Sequence, residues 1–438
     1  MSGNCLLMLS GKLAFENETM KASVYPSRLS GSVRAPASKS HFIRLVAAAM
    51  LAEGSSSIFH PSSCGDAKSM LNVAREMGAE FELSDDCLNV RGNPIFRGRK
   101  LFNCGESGLA ARLMIGVATL FKEEVIVCGT GTLLKRQLGN ITKPLQQLGV
   151  KCTMNDMKLP ARIYGTAKGG QIVVDGSESS QFISGLLMAL PLLKSDTELI
   201  VKDLKSRPYI DLTMETLKAF DIEVQDSEYR NFHIKGKQSY RPTNIQVEGD
   251  WSGGAFLLVA AALNNNVKIT GLDTNSQQSD KAILTALESA GAIIQNEISE
   301  LTVIADKLKA FTFDATHCPD LFPPLAALAA NCKGVSKIKG VNRLKHKESD
   351  RATALLEELG KLNIRIEIEG DEMSITGGQI SGGKVSSRND HRMAMAGAIA
   401  ALTASGKVEI GQAESVSKSW PGFFNDIQMA GGKIEYED

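Results

Sequence analysis

The sequence predicts an α/β protein of two similar domains, each assembled from three repeats that share buried helices. Three observations point there. First, a small polar start followed by an Ala/Leu/Met-rich helix recurs six times, near Lys39, Glu106, Ser179, Asp250, Pro319 and Asp390. Second, a further helix in each unit stops at a residue that tolerates the left-handed conformation: Gly78, Gly149, Asp221, Gly291, Asn363 and Gly432. Both markers keep a spacing of about 71 residues, which chance alternation of helices would not hold. Third, the first helices are apolar nearly all round, as in LVAAAM (45–50) and AGAIAAL (396–402), and such helices are buried rather than laid on a surface.

The other elements follow in order. A β-like run trails each first helix: SSIFH (56–60), EVIVCG (124–129), ELIVKDL (198–204), VKITGL (267–272), VSKIKGV (335–341) and KVEIGQ (407–412). Others trail the second helix: AEFELS (79–84), IEVQDS (222–227), AIIQNE (292–297), IRIEIEG (364–370) and KIEYE (433–437). Each unit reads strand-helix-strand-helix-strand-strand. The second helices are amphipathic, as in 348–362, where Leu355, Leu356 and Leu359 are expected on one stripe. One unit cannot cover its own buried helix, but three sharing a core make a domain of ordinary size. Six units then give two domains with a cleft between them.

Composition narrows the function classes. The chain has 438 residues, 43% hydrophobic and 22% charged, an ordinary globular balance. Lys+Arg and Asp+Glu are 49 each, so bulk charge does not serve nucleic-acid binding, though a local anion site needs no net charge. The longest apolar runs, such as Leu45–Ala52 and Phe256–Leu263, fall far short of the ~20 residues that span a membrane. Eight scattered Cys form neither Cys-x-x-Cys nor a zinc spacing, which reads as reduced thiols in the cytoplasm with no metal centre. Residues 1–19 lack the pattern of a signal peptide and read as a dispensable leader.

Chemistry-bearing residues gather where the buried helices start. A helix N-terminus offers unpaired N–H groups and partial positive charge, so it favours anions. Lys39, Ser40 and Arg44 open the first helix; Arg112 lies in the second; Ser179, Ser180 and Gln181 open the third; Asp390, His391 and Arg392 open the sixth, with Asn389 expected as its cap. The loops leading to the second helices add Arg136, Arg207, Lys347, Arg351 and Lys418. Singly, each has a plain structural use: a solvated cation, an N-cap, or, for Asp320 and Glu348, a first-turn acid. Together they recur at one position of one repeat, which points to a concentrated anion pocket inside a neutral protein.

On these residues the chain resembles the EPSP synthase family, the 3-phosphoshikimate 1-carboxyvinyltransferases of the shikimate pathway, over essentially all of residues 21–438. The motifs are Ala37-Ser-Lys39-Ser40-x-x-x-Arg44, Ser179-Ser-Gln-Phe182, Ser206-Arg-Pro-Tyr209-Ile-Asp, Val247-Glu-Gly-Asp250, Lys347-Glu348-Ser-Asp-Arg351 and Asn389-Asp-His-Arg392-Met-Ala-Met. The resemblance implies the enolpyruvyl transferase fold: two domains, each of three βαβαββ repeats around buried parallel helices, an inside-out α/β barrel. It implies chain crossings near Pro36–Lys39 and Val247–Asp250, hence one domain from 1–36 plus 248–438 and another from 37–247, with the active site between. It also implies transfer of the carboxyvinyl group of phosphoenolpyruvate to the 5-hydroxyl of shikimate 3-phosphate by addition and elimination. No metal or cofactor is implied, and a cytoplasmic monomer is expected.

Carried over by motif, Lys39, Ser40, Arg44, Ser179, Ser180, Gln181, Ser206, Tyr209, Asp320 and Lys347 belong to the shikimate 3-phosphate side. Lys39, Gly108, Arg136, Gln181, Arg351, Arg392 and Lys418 belong to the phosphoenolpyruvate side, with Arg112 and His391 beside them. Asp320, Glu348 and Lys39 are the catalytic set, and its acid and base are expected to be set apart by environment. The sequence also departs from the family. Glu106, Leu109 and Leu113 stand where Asn, Thr and Pro are common, Arg207 where Lys is, and Arg343 where Asn is. Glu106 puts a negative charge beside the phosphoenolpyruvate phosphate unless a base pairs with it, and is left outside the site. The sister UDP-N-acetylglucosamine enolpyruvyl transferases carry a reactive Cys just before the residue matching Arg136; here Cys128 lies too early. A non-enzymatic anion binder on the same scaffold would not need Asp320 and Glu348.

Overall fold

The computed structural model describes residues 20–297, 300–345 and 347–437; the expected leader 1–19 lies outside them. The apolar segments form six helices, which we label α1 (Lys39–Leu51), α2 (Gly108–Ala118), α3 (Gln181–Ala189), α4 (Trp251–Asn264), α5 (Phe322–Ala330) and α6 (His391–Ala401). Every residue of α2 and α6 is buried, as the absence of a polar face demands. Where α2 meets α3 the backbones touch: a Cβ on Gly116 would run into the carbonyl of Gly185. Only glycine permits that approach.

Among the described residues, six separate four-stranded sheets surround the helices. In one, Lys100–Asn103 runs parallel to Val125–Cys128 across α2, and Val125–Cys128 pairs antiparallel with Lys158–Tyr164, which pairs with Lys151–Asn155. This is the expected strand-helix-strand-helix-strand-strand order. The left-handed stops also recur, with φ of +98° at Gly78, +77° at Gly149, +62° at Asp221, +94° at Gly291 and +64° at Asn363. The sixth stop is Gly431, at +103°, and not Gly432.

The hydrophobic interior divides into two clusters. One joins Ala22–Ala35 to residues from Trp251 to Ile434; the other draws on Phe42 to Val247. The strands explain the division. Gly31–Arg34 precedes α1 in sequence but pairs in parallel with Val267–Thr270, the strand that follows α4. Asn244–Gln246 precedes α4 but pairs with Gly54–Phe59, the strand that follows α1. The two passing segments touch in an antiparallel bridge, Ala37 to Gly249. Lys21–Val24 meanwhile sits between Val408–Gly411 and Ile434–Glu437.

One amphipathic stripe differs from expectation. Leu355 and Leu359 are buried but Leu356 is 38% exposed. The helix Arg351–Ala354 widens into a π turn over Leu355–Leu359. That turn breaks the 3.6-residue register and sends Leu356 outward. Among the described residues no helix is long and apolar enough to cross a membrane. The seven described cysteines are free thiols.

Candidate active site

The site is built on the starts of the six buried helices. Asp390 caps α6, its Oδ1 accepting from the Arg392 N–H at 3.0 Å; Asn389, expected as the cap, instead takes a left-handed φ of +58° in the preceding turn. Asp390 also accepts from Arg351, through Nε at 2.9 Å and an Nη at 3.2 Å. The Arg351 side chain is fully buried, and its other contacts run to Asp320 Oδ1 and Glu348 Oε2, both at 2.8 Å. One guanidinium thus fixes both candidate catalytic acids relative to α6.

Asp320 collects two further cations, Lys347 Nζ at 3.0 Å and Arg392 Nη2 at 3.2 Å. Burial pushes its carboxyl toward the neutral form, but Arg392, Lys347 and Arg351 outweigh it and hold the group well below the usual carboxylate range. Glu348 behaves alike: burial is overcome by Arg136, 3.4 Å away, and by Arg351. Both acids are therefore held ionised. The proton is held by Lys39. Burial lowers its pKa, but Asp66 at 3.1 Å and the nearby Glu348 raise it further, so the ammonium persists. Lys347 shifts the other way, lowered by burial against the pull of Asp320.

The other candidates fall around this core. Gln181 Oε1 accepts from Arg112 at 3.1 Å, and the Gln181 N–H donates to Ser179 Oγ at 3.2 Å. Ser180 is buried at the head of α3. Gly108 leaves room that a Cβ would take within 3.3 Å of the Arg136 guanidinium. Ser206 Oγ accepts from Arg343 at 3.0 Å. Burial, with Asp280 and Asp320 nearby, keeps the Tyr209 phenol protonated and able to donate. Lys418 reaches the Asn389 carbonyl at 2.7 Å and Glu106 at 2.9 Å. Arg44 is fully buried, and its guanidinium donates to the Ser40 carbonyl, Thr213, Ser184 and the Tyr209 carbonyl. It binds α1 to the Ser184 and Tyr209 segments, which sets the position of the site's walls.

Several buried nitrogens at this junction have no partner among the described residues: Arg136 Nε, Arg343 Nε and both ring nitrogens of His391. Burial, with Lys39 and Arg392 close by, holds His391 neutral. Unpaired buried polar atoms are costly and mark a place for a polar ligand. A cavity of about 320 Å³ lies elsewhere, lined by Ser69, Asn72, Glu76, Leu101, Asn103, Gly105 and Thr130, and offers an anion no cation. Sequence reasoning missed Asp66, Asp280 and Ser252. Asp66 starts the helix Gly65–Glu76, and the Ser252 carbonyl accepts from Arg392; neither carries a motif beyond a common helix start.

The chain matches the EPSP synthase (3-phosphoshikimate 1-carboxyvinyltransferase) profile over residues 24–427. A 3-phosphoshikimate 1-carboxyvinyltransferase of Clostridium perfringens is 37% identical over 422 residues, 95% of this chain and 100% of that protein. One from Clostridioides difficile is 35% identical over 426 residues, 94% of this chain and 98% of that protein. Among solved structures, the EPSP synthase of Acinetobacter baumannii superposes with a TM-score of 0.80 at 26% identity, covering 96% of this chain and all of that one. The enolpyruvyl transferase NikO of Streptomyces tendae shares the fold, with a TM-score of 0.76 at 16% identity over 96% of this chain and 99% of its own. The protein described here therefore belongs to the EPSP synthase family.

Proposed function

We propose that the protein transfers the carboxyvinyl group of phosphoenolpyruvate to the 5-hydroxyl of shikimate 3-phosphate, releasing phosphate, as a 3-phosphoshikimate 1-carboxyvinyltransferase. The observation that carries this reading is the pair of ionised acids, Asp320 and Glu348, both held by Arg351, with the protonated Lys39 close to Glu348 and cations from both halves of the chain around them. The acceptor oxygen bonds to C2 of phosphoenolpyruvate as its proton passes to Asp320, and the methylene carbon C3 takes a proton from Lys39. The tetrahedral adduct then returns a C3 proton to Lys39, directly or through Glu348, the C2–O bond to phosphate breaks, and the departing phosphate takes up the proton held by Asp320. An ionised Asp320 suits the first step, and Lys347 beside it relays the proton.

The anions are shared between the two sides. Lys39, Ser40, Arg44, Ser179, Ser180, Gln181, Ser206, Tyr209 and Lys347 serve shikimate 3-phosphate. Gly108, Arg136, Arg351, Arg392 and Lys418, with Gln181 and Lys39, serve phosphoenolpyruvate, and Arg112 and His391 support that wall. Two charged substrates are brought together because fixed cations offset their mutual repulsion. The incoming anions also relieve the cations' hold on Glu348 and so raise its proton affinity at the moment it must act. The reading divides the chain into domains 1–36 plus 248–438 and 37–247, supported by the two separate cores. It takes the protein as a cytoplasmic monomer that uses neither metal nor cofactor. Phosphate release is the test: turnover with phosphoenolpyruvate and shikimate 3-phosphate, and none with UDP-N-acetylglucosamine as acceptor, is expected. The reverse preference, or binding without release, overturns it.

A further inference from the structure

Glu106 stands just before α2, and the sequence reading left it outside the site. Its carboxylate is gripped by a loop of its own half. Oε2 accepts from the Thr132 N–H at 2.9 Å and from Thr132 Oγ1 at 2.6 Å. Gly131 lies directly beneath, with φ +55°, where any Cβ would strike the carboxyl group. That loop leads straight into Arg136. The same Oε2 reaches the opposite half, where it meets Lys418 Nζ at 2.9 Å. Burial disfavours the charge, but Thr132 and Lys418 outweigh it and keep Glu106 ionised. Lys418 has a second tether, the Asn389 carbonyl at 2.7 Å, so its position does not depend on Glu106 alone. What Glu106 adds is a resident negative charge on a cation assigned to phosphoenolpyruvate.

We propose that Glu106 is a specificity-determining residue of the phosphoenolpyruvate side, an internal counter-ion that an incoming anion must displace from Lys418. The inference rests on the assignment of Lys418 made above. A bare phosphate or sulfate meets the Glu106 carboxylate with few other contacts to offset the repulsion. Phosphoenolpyruvate carries a carboxylate as well as a phosphate, engages Arg136 and Arg392 too, and overcomes it. Selection by a repulsive element is a general route to discrimination. Here it also hastens departure of the phosphate product.

The test compares the wild type with Glu106→Gln, which keeps an acceptor for Thr132 and removes the charge. Inorganic phosphate is the probe, read as an inhibitor competitive with phosphoenolpyruvate and by calorimetry on the ligand-free protein. In Glu106→Gln phosphate binds about tenfold more tightly, the KM for phosphoenolpyruvate falls by a smaller factor, and the KM for shikimate 3-phosphate does not move. The phosphate gain disappears when Lys418→Met is added. Phosphate affinity that is unchanged or weaker in Glu106→Gln, or a gain that persists beside Lys418→Met, overturns the proposal. A wild type that turns over neither substrate pair sinks the functional reading instead, and the calorimetric titration still decides the role of Glu106.

Discussion

Asp320 shows how much of this site is decided atom by atom. One carboxylate meets Lys347, Arg351 and Arg392. Those contacts hold it ionised and weaken it as a base until substrate engages them, and they also occupy cations that the substrates need. Asp320→Asn separates the two effects. Turnover falls by about 10²–10⁴, the usual worth of a positioned general base. The KM for phosphoenolpyruvate does not rise, because Arg392 and Arg351 have lost a competitor. Steady-state kinetics at saturating shikimate 3-phosphate read both numbers; a raised KM with turnover intact would make Asp320 a structural anchor.

At the level of elements, the π turn and the crossing strands each carry a measurable consequence. Leu355 is fully buried whereas Leu356 faces solvent. Leu355→Ala therefore costs about 2–5 kcal/mol of stability, and Leu356→Ala stays within about 0.5 kcal/mol, by denaturant titration. Equal losses would restore the simple amphipathic stripe. His41 lies where the chain crosses between cores, its Nδ1 accepting from the Glu248 N–H at 3.2 Å. Burial lowers its pKa from the usual 6.5 to about 4, with Glu248 opposing and Arg44 assisting. The imidazole is thus neutral in the fold while the unfolded chain protonates near 6.5. Its contribution is whole above that pH and is lost as pH falls from 6.5 toward 4, up to about 3 kcal/mol. His41→Gln, which can still accept from Glu248, flattens that part of the stability-against-pH curve; an unchanged slope removes His41 as the cause.

At the scale of the whole molecule, polar contacts join residues of the 37–247 segment to those of 248–438. Besides Glu106 with Lys418 and Arg136 with Glu348, Arg343 donates to the carbonyls of Ser177 and Glu178, each at 2.7 Å, and to Ser206 Oγ. Single polar contacts of this kind are weak and can be replaced by water. Small-angle scattering of ligand-free Arg343→Ala shows a larger radius of gyration than the wild type, and its KM for shikimate 3-phosphate rises because Ser206 loses its partner. Identical profiles and an unchanged KM would mean that the arrangement of the halves does not depend on Arg343.

Sequence alone determined the sixfold repeat, the buried helices and five of the six left-handed stops, because each rests on local periodicity or on the backbone freedom of one residue type. It also placed Lys39, Gln181, Asp320 and Arg392 at helix starts, since a helix N-terminus favours polar and charged groups wherever the helix goes; Glu348, read as a first-turn acid, instead precedes the Asp350 cap of its helix. Tertiary structure decided the partners. Nothing local shows that Gly31–Arg34 joins the strand after α4, that Asp66 pairs with Lys39, or that Arg351 adds Asp320 and Asp390 from distant segments to its near neighbour Glu348. Charge states followed the same rule: Asp320 opens a helical turn and Glu348 lies in the loop before Arg351, but their ionisation comes from cations more distant in sequence as well as near neighbours. A Coulomb interaction depends on distance through space and on burial, and both are properties of the folded chain that residue order states only indirectly.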